Sequence, residues 1–281
     1  MTPSPSDGNR SLYESRVVAD EYESWGGSFG LFEPEKVILA RLVGELAGGS
    51  LLDVGVGAGR TTPALSAACR RYAGIDYAQA MVDRCRRMYP NLDFRRQDAR
   101  DLSAFEPQSF DVVWFSYNGI DFVPPEDRGR VLRECSRVLR PGGALVFSSH
   151  NLHAPPRPPT LFPEWRREGH PVRRQISNLR RLFRHARHHV NYHARKARER
   201  SGDGYALLVD MAHGYRLMTC FVTPEFQDKQ LREAGFDGVE IFAKDGSALD
   251  AGSRPADPWL YYFARTRAGR TSGANIEGMQ M

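Results

Sequence analysis

The chain has 281 residues, of which 41% are hydrophobic and 26% charged, and this balance excludes a disordered or fibrous protein. No apolar run approaches the roughly 20 residues that cross a bilayer. Residues 1–10 also lack the apolar core of a secretory signal. We therefore expect a cytoplasmic protein without a membrane span. The four cysteines form no CxxC pair, which favours free thiols over disulfides or a zinc site.

The net charge of +5 is distributed unevenly along the chain. Residues 157–200 contain 13 Lys and Arg but only three Glu, so this segment has a local charge of +10 and the remainder of the chain has −5. Such a basic segment is explained by a solvated helix face, by an anionic acceptor or membrane surface, or by RNA. Tyr192 is its only tyrosine, which disfavours a platform for stacking nucleic-acid bases.

Short apolar runs alternate with amphipathic stretches between residues 50 and 150, as in strand–helix repeats that build a parallel sheet. The predicted strands are 50–54, 72–76, 92–95, 110–116 and 144–149, and helices are predicted to begin near Thr62, Ala78 and Glu126. Thr61 supplies a predicted N-cap hydroxyl. Pro141-Gly142-Gly143 is predicted to end the third helix before the fifth strand.

This rhythm is interrupted after residue 150. Five prolines between residues 155 and 163 exclude a helix or a central strand there. An amphipathic helix follows, with apolar residues spaced by three, four and seven: Ile176, Leu179, Phe183, Ala186, Val190 and Ala197. Residues 151–222 are therefore predicted to be a helical insertion.

The strand–helix rhythm resumes at Thr223-Pro224-Glu225, where a helix is predicted to begin and to run to Gly235. Strands are predicted at 239–243 and 259–265. The expected organisation is one domain over residues 11–266, with flexible tails at 1–10 and 267–281.

A glycine-rich turn carries the clearest chemical signal. The predicted strand Leu51-Leu52-Asp53-Val54 runs into Gly55-Val56-Gly57-Ala58-Gly59 and then into a helix. Glycines allow backbone N–H groups to approach a ligand closely, and the following helix start favours negative charge. The spacing is GxGxG rather than the GxGxxG of nicotinamide folds, and Asp53 suits a ligand with a cationic centre better than a pyrophosphate.

The chain resembles the class I S-adenosylmethionine-dependent methyltransferases, since further motifs follow this loop in that family's order. They are Gly74-Ile75-Asp76-Tyr77, Gln97-Asp98-Ala99, the strand 110–116 and Cys135-Ser136-Arg137-Val138-Leu139-Arg140-Pro141-Gly142-Gly143. The resemblance implies an α/β, Rossmann-like fold with a seven-stranded, mostly parallel sheet flanked by helices. It also implies an enzyme with S-adenosyl-L-methionine as cofactor. The predicted insertion resembles the lids that small-molecule methyltransferases place over their acceptors.

The resemblance also implies cofactor-binding residues. Asp76 would accept hydrogen bonds from the ribose hydroxyls, Asp98 would accept one from the adenine amino group, and Met81 would form an apolar wall. The predicted cofactor set is Asp53, Gly55, Gly57, Gly59, Asp76, Tyr77, Met81, Asp98, Ala99 and Phe115. For Phe115, core packing and cofactor contact both stay open.

Catalytic groups are expected at the carboxyl ends of the strands, opposite the cofactor loop. Histidine titrates near neutral pH, so His150 and His213 are candidate general bases, and His213 ranks first because Asp210, three residues before it, could orient it. Tyr215 completes the predicted catalytic set. A structural role is the alternative for either histidine. No HExxH pattern is present, so no metal is predicted.

The leading functional hypothesis is O-methylation of a small polar metabolite, a sugar-containing or natural-product biosynthetic intermediate. Within this fold, methylation of exocyclic or amide nitrogen often goes with an Asn/Asp-Pro-Pro-Tyr turn, whereas this chain has Phe115-Ser116-Tyr117-Asn118. The alternatives are a small-molecule N- or C-methyltransferase, an RNA methyltransferase that uses the basic helix, and a non-enzymatic cofactor sensor. An anionic acceptor and a homodimer stay open, and nucleic acid is disfavoured.

Overall fold

The computed structural model describes residues 30–163, 170–250 and 252–267. The predicted flexible tails lie outside these residues, apart from Arg267. The described chain forms alternating strands and helices. No helix in these three ranges combines the length and apolar character needed to cross a bilayer.

A single twisted sheet organises the described residues. Its strands are β1 (Ser50–Val54), β2 (Arg71–Asp76), β3 (Asp93–Arg96), β4 (Phe110–Phe115), β5 (Leu139–Asn151), β6 (Arg200–Gly202), β7 (Tyr205–Asp210), β8 (Leu217–Val222), β9 (Phe236–Phe242), β10 (Ala248–Leu249) and β11 (Trp259–Thr266). Seven of them have the order β9-β11-β5-β4-β1-β2-β3, and within these seven only β11 is antiparallel to its neighbours. The seven-stranded, mostly parallel sheet of the sequence prediction is thus confirmed.

Helices cover both faces of this sheet. They are α1 (Glu33–Leu46), α2 (Thr62–Ala68), α3 (Gln79–Met88), α4 (Pro125–Val138), α5 (Pro171–Lys196) and α6 (Pro224–Glu233), with 3₁₀ turns at Gly119–Phe122 and Ala212–Gly214. Successive residues of β1 point to opposite faces, so Leu51 and Leu52 enter two different hydrophobic clusters. All five residues of β1 are buried for this reason.

Two local features of the structure differ from their predictions. The Thr61 hydroxyl makes no helix cap and donates a hydrogen bond to Asp53 at 2.8 Å. The helix α4 ends at Val138, and β5 already begins at Leu139, ahead of Pro141-Gly142-Gly143. The sheet pairing shifts register next to this Pro-Gly-Gly run, between Phe110 and Val112 of β4, so the strand accommodates it as an irregularity.

The insertion 151–222 contains more sheet than the predicted helical lid. The prolines do lie in chain without helix or strand, and α5 follows as predicted. However, β7 and β8 then form an antiparallel pair, and β8 joins β5 in parallel through His150 and Phe221. The runs that form β7 and β8 are mostly apolar, and such short runs do not distinguish a strand from a buried helix by periodicity.

Candidate active site

The glycine loop between β1 and α2 requires its glycines for two separate reasons. Gly55, Gly57 and Gly59 all have positive φ, at 67°, 52° and 83°, a region that L side chains rarely adopt. A Cβ atom on Gly55 would also lie 2.9 Å from the Phe115 ring. By contrast, a Cβ atom on Gly57 would meet nothing within 4 Å. The loop is therefore packed against Phe115 at Gly55, whereas the space beside Gly57 is open.

Asp53, predicted to face a cationic ligand, is buried and has partners within the protein. Its Oδ2 accepts hydrogen bonds from the hydroxyls of Thr61 at 2.8 Å and Tyr72 at 2.9 Å. Burial raises the pKa of Asp53 to about 7, and these two hydrogen bonds oppose that rise. Asp53 thus ties the start of the glycine loop to α2 and β2. Its contact with the cofactor stays a prediction.

Asp76 ends β2 directly beside the loop. Its Oδ2 accepts the backbone N–H of Gly57 and its Oδ1 accepts that of Ala78, both at 2.9 Å. Burial raises the pKa of this carboxyl to about 6, against the effect of the N–H donors. The next residue, Tyr77, is half-buried, and Met81 packs with Ala78 and Leu217 of the insertion. Asp76 therefore orients the loop and presents a carboxylate at its edge.

The remaining predicted cofactor residues lie in different surroundings. Both carboxylate oxygens of Asp98 bind the guanidinium of Arg100, at 3.0 and 2.8 Å, so the predicted adenine contact competes with an ion pair. Ala99 packs against the large hydrophobic cluster that also contains Phe115. Phe115 is buried there, with its ring close to Gly55 and to Gly119. Its packing role is thereby established in this structure, and its cofactor contact stays a prediction.

An ion pair that the sequence analysis did not identify fixes the far end of the loop. Arg60 donates two hydrogen bonds of 2.7 Å to the buried carboxylate of Glu35 on α1. Its guanidinium also lies over the rings of Phe32 at 4.4 Å and Tyr117 at 5.7 Å. Ser116, at the end of β4, donates a hydrogen bond to the same Glu35 carboxylate. The loop is thus connected to α1 and to the end of β4.

The carboxyl ends of β4 and β5 bring together an aspartate and a histidine. The ring Nδ1 of His150 lies 2.8 Å from Oδ2 of Asp121, and the His150 backbone N–H donates to the same oxygen at 2.6 Å. Because a carboxylate can only accept, Nδ1 carries a proton in this pair. We refer to Asp121 and His150 as the dyad.

A buried arginine holds the dyad carboxylate. Arg128 on α4 forms a fully buried ion pair with Oδ1 of Asp121, and the Ser149 hydroxyl donates to the same oxygen at 2.6 Å. Gln227 and Gln230 of α6 accept further hydrogen bonds from the Arg128 guanidinium. Both oxygens of the Asp121 carboxylate therefore have partners, and contacts from β5 and α4 fix the orientation of the carboxylate.

Among the predicted catalytic residues of the insertion, Asp210 lies beside the dyad. Its Oδ2 lies 3.9 Å from Nε2 of His150 and accepts a hydrogen bond from the Thr219 hydroxyl, while its Oδ1 accepts one from the Ala212 backbone N–H. The insertion therefore places Asp210 beside His150, whereas the sequence analysis associated it with His213.

His213 lies in the 3₁₀ turn with a positive φ of 49°. Tyr215 is buried beneath α5, where its hydroxyl donates to the Arg157 carbonyl at 3.3 Å. It therefore anchors the insertion, and burial raises its pKa. The catalytic roles predicted for both residues stay predictions.

Asn118 completes the corner around the dyad. Its backbone is left-handed, with φ at 61°, and its Nδ2 lies 3.4 Å from Nε2 of His150. Its buried Oδ1 has no hydrogen-bond partner among the described residues. A buried amide oxygen without a partner is costly, so a ligand donor at this position would stabilise the site. The sequence analysis named residue 118 only as part of the stretch Phe115-Ser116-Tyr117-Asn118 and did not assign it a role.

Asp121 and Arg128 were missed as site residues because neither lies in a recognisable motif. Asp121 is within a short 3₁₀ turn after β4, and Arg128 is the third residue after Pro125, at the start of α4. The available signal was an acid a few residues after a strand end, a position common to many surface carboxylates. Only the pairing of β4 with β5 brings Asp121 next to His150.

Comparisons with known proteins agree with the methyltransferase resemblance of the sheet and of the glycine loop. Residues 51–143 match the family model described as Methyltransferase domain. A Mycolicibacterium smegmatis protein named as a probable S-adenosylmethionine-dependent methyltransferase is 33% identical over 139 residues, 49% of this chain and 52% of the relative. The ubiquinone biosynthesis O-methyltransferase of Xanthomonas euvesicatoria is 34% identical over 112 residues, 38% of this chain and 45% of the relative. The chain spans about half the length of these curated relatives.

A solved structure extends the likeness of the fold. The S-adenosylmethionine-dependent methyltransferase of Clostridium acetobutylicum superposes with a TM-score of 0.55 at 11% identity, over 90% of this chain and 99% of that protein. Residues 51–143 thus match a methyltransferase domain, and the fold of the chain is similar to that of S-adenosylmethionine-dependent methyltransferases. The cofactor of this class is S-adenosyl-L-methionine.

The residues around the loop fit this cofactor. Gly57 leaves open space where a side chain would stand. The carboxylate of Asp76 has used one acceptor site of each oxygen on backbone N–H groups and keeps capacity for two ribose hydroxyls. The loop glycines, Asp76 and the apolar Met81 are therefore the residues that would hold the cofactor.

Proposed function

We propose that the protein transfers a methyl group from S-adenosylmethionine to a hydroxyl oxygen of a small molecule, with His150 as the general base. The observation that carries this proposal is the 2.8 Å contact between Nδ1 of His150 and Oδ2 of Asp121 at the carboxyl ends of the strands. A hydroxyl acceptor must lose its proton as it is methylated, and an oriented neutral imidazole is suited to take it.

When bound, S-adenosylmethionine supplies an electrophilic methyl group on its sulfonium. The chain itself supplies alignment and proton removal. Asp121 holds the proton of His150 on Nδ1, which leaves Nε2 free to accept the acceptor's proton. Asp121 also stabilises the imidazolium that results, because its carboxylate stays charged next to it.

Asp210 and Asn118 are proposed to position the acceptor. Both lie near Nε2 of His150, at 3.9 Å and 3.4 Å, so a hydroxyl that reaches Nε2 comes within range of their polar atoms. Holding the acceptor oxygen in line with the methyl group is the larger part of catalysis in such a displacement. The insertion that carries Asp210 would cover the acceptor as a lid.

The proposed acceptor is a polar biosynthetic intermediate, either sugar-containing or from natural-product metabolism. A relative with a similar methyltransferase domain is named as a ubiquinone biosynthesis O-methyltransferase, which supports oxygen as the methylated atom. An oriented imidazole base is expected where the methyl acceptor is a hydroxyl oxygen. An amine that binds in the neutral form does not need such a base.

The test is a methylation assay with the full chain, S-adenosylmethionine and a panel of three acceptor types: a catechol, a hexose glycoside and an arylamine. We expect a mass gain of one methyl group on a hydroxyl compound. The variant His150→Ala should lower kcat by about 10²–10⁴-fold while binding S-adenosylhomocysteine with unchanged affinity. Added imidazole should restore part of that turnover, which a structural role would not permit.

His193→Ala is the matched control, since His193 lies on α5 with its ring next to those of His189 and Tyr192. It should retain full turnover. Methylation of the arylamine alone, or full activity in His150→Ala on a hydroxyl acceptor, would contradict the proposal. The same assay with His213→Ala compares the two predicted bases directly.

A further inference from the structure

The helix α5 presents its apolar side to solvent and its polar side to the protein. At about 100° per residue, Val172, Ile176, Leu179, Phe183 and Val190 fall within about 60° of one another on the helix surface. All five are exposed, with Phe183 at 67% and Val190 at 68%. We call these five residues the α5 stripe. A helix of a soluble domain normally turns such a stripe toward the core.

The contacts on the opposite side explain this orientation. His188 and Tyr192 pack against the ring of Tyr215, with centroid distances of 5.5 and 5.8 Å. Asn191 donates a hydrogen bond of 2.8 Å to the Gly214 carbonyl. These polar and aromatic residues attach α5 to the turn around Gly214 and Tyr215, and this attachment leaves the α5 stripe facing outward.

Further apolar surface lies beside the stripe. Leu161 and Phe162 are exposed by 84% and 79%, more than any stripe residue. The neighbouring Thr160 carbonyl is held against the helix by Nε2 of His189 at 2.9 Å. Exposed apolar residues grouped in this way indicate a contact surface, whereas single exposed ones are common on soluble proteins.

The charge on α5 identifies the kind of partner. Between Pro171 and Lys196 the helix has eight Lys and Arg and no Asp or Glu. Arg173, Arg180 and Arg187, each seven residues from the next and all exposed, form a row along one edge of the α5 stripe. The partner must therefore offer negative charge next to an apolar phase.

We propose that α5 docks the protein onto an anionic lipid bilayer, with the α5 stripe in the acyl boundary and the flanking arginines on the headgroups. An apolar stripe flanked by basic residues is the arrangement by which helices bind in the plane of a membrane interface. A second copy of this chain would bring its own basic helix with no acid on it, so like charges disfavour that occupant. Nucleic acid would leave the apolar stripe in water.

The test is co-sedimentation of the full chain with vesicles of phosphatidylcholine alone or of phosphatidylcholine with phosphatidylglycerol. We expect binding to the anionic vesicles that weakens as salt is raised, and little binding to the neutral ones. The variant Phe183→Gln/Val190→Gln should reduce the affinity about tenfold or more through the loss of inserted apolar surface. Its matched control, Val43→Gln/Met88→Gln, removes two exposed apolar residues elsewhere and should bind as the wild type does.

A second pair of variants tests the charge separately. Arg173→Gln/Arg180→Gln/Arg187→Gln should weaken binding and reduce its dependence on salt. Arg130→Gln/Arg133→Gln/Lys229→Gln removes the same net charge from exposed positions on α4 and α6 and should leave binding nearly unchanged.

Three outcomes would overturn the proposal. They are absence of binding to anionic vesicles, equal binding by all variants, and a dimer in solution that Phe183→Gln/Val190→Gln dissociates while vesicle binding is absent. Because the readout is vesicle binding, it is independent of the proposed methyl transfer.

Discussion

Nδ1 of His150 lies 2.8 Å from Oδ2 of Asp121, although the two residues are 29 positions apart, one in the 3₁₀ turn after β4 and the other within β5. The parallel pairing of β4 with β5 brings them together, since Asp121 follows β4 and His150 lies near the end of β5. The carboxylate in turn depends on Arg128. The dyad is therefore part of a buried network that connects the sheet with α4 and α6.

This network predicts a large effect of Arg128 on stability. Arg128→Leu leaves the buried Asp121 carboxylate without its cation, and breaking such a pair costs about 3–5 kcal/mol of unfolding free energy. Urea unfolding followed by circular dichroism measures the loss. The double variant Arg128→Leu/Asp121→Asn should recover part of it, because the uncompensated charge is removed.

The control for this prediction is Arg267→Leu, which breaks an exposed pair with Asp237 at 3.0 Å. Exposed pairs are weak, so its effect should be much smaller. Equal losses in Arg128→Leu and Arg267→Leu would contradict the role assigned to the network.

The open space above Gly57 predicts that this position affects ligand binding more than folding. Gly57→Ala introduces a side chain at positive φ, which costs about 1–2 kcal/mol, and places a methyl group where the cofactor is expected. Gly142→Ala is matched, since Gly142 has a φ of 78° and no atom within 4 Å of its virtual Cβ, but lies in β5 before Gly143. Both should lose similar stability, and only Gly57→Ala should lose affinity for S-adenosylhomocysteine in calorimetry. Equal affinities in the two variants would contradict the cofactor placement.

The raised pKa of Asp76 predicts a pH dependence of cofactor affinity. Burial raises this pKa from 3.8 to about 6, so the carboxylate is charged above pH 6 and becomes neutral below it. The charged form accepts hydroxyl hydrogen bonds more strongly. Affinity for S-adenosylhomocysteine should therefore fall as pH decreases through about 6. Asp76→Asn should bind weakly with a flat profile between pH 5 and 7, and a parallel decline in both proteins would assign the effect to another group.

The same shift acts on stability with the opposite sign. The folded protein binds the proton of Asp76 more tightly than the unfolded chain does, so the folded state is favoured at low pH. This contribution decreases as pH rises from about 3.8 to about 6 and stays lost above that. The cofactor site is thus maintained at some cost to the stability of the free protein, in the pH range where Asp76 is charged.

Much of the cofactor side could be predicted because its signals are local. Asp53 to Gly59 are contiguous, and the positive φ angles of the loop can be adopted readily only by glycine. The alternation of strands and helices likewise reflects short-range periodicity, and six of the seven predicted strand positions differ from the structure by no more than three residues at either end. The exception is the fifth strand, whose start was obscured by Pro141-Gly142-Gly143.

The amino-acid sequence by itself determined the fold class, the glycine loop and the residues at the strand ends, because backbone preferences and hydrophobic periodicity act over a few residues. Only the tertiary structure decided that Asp121 orients His150, that Asp210 approaches the same histidine and that the α5 stripe faces outward. These relationships depend on strand pairing and on which side of a helix finds partners. Such choices are made by contacts between residues far apart in the chain, and no local pattern encodes them.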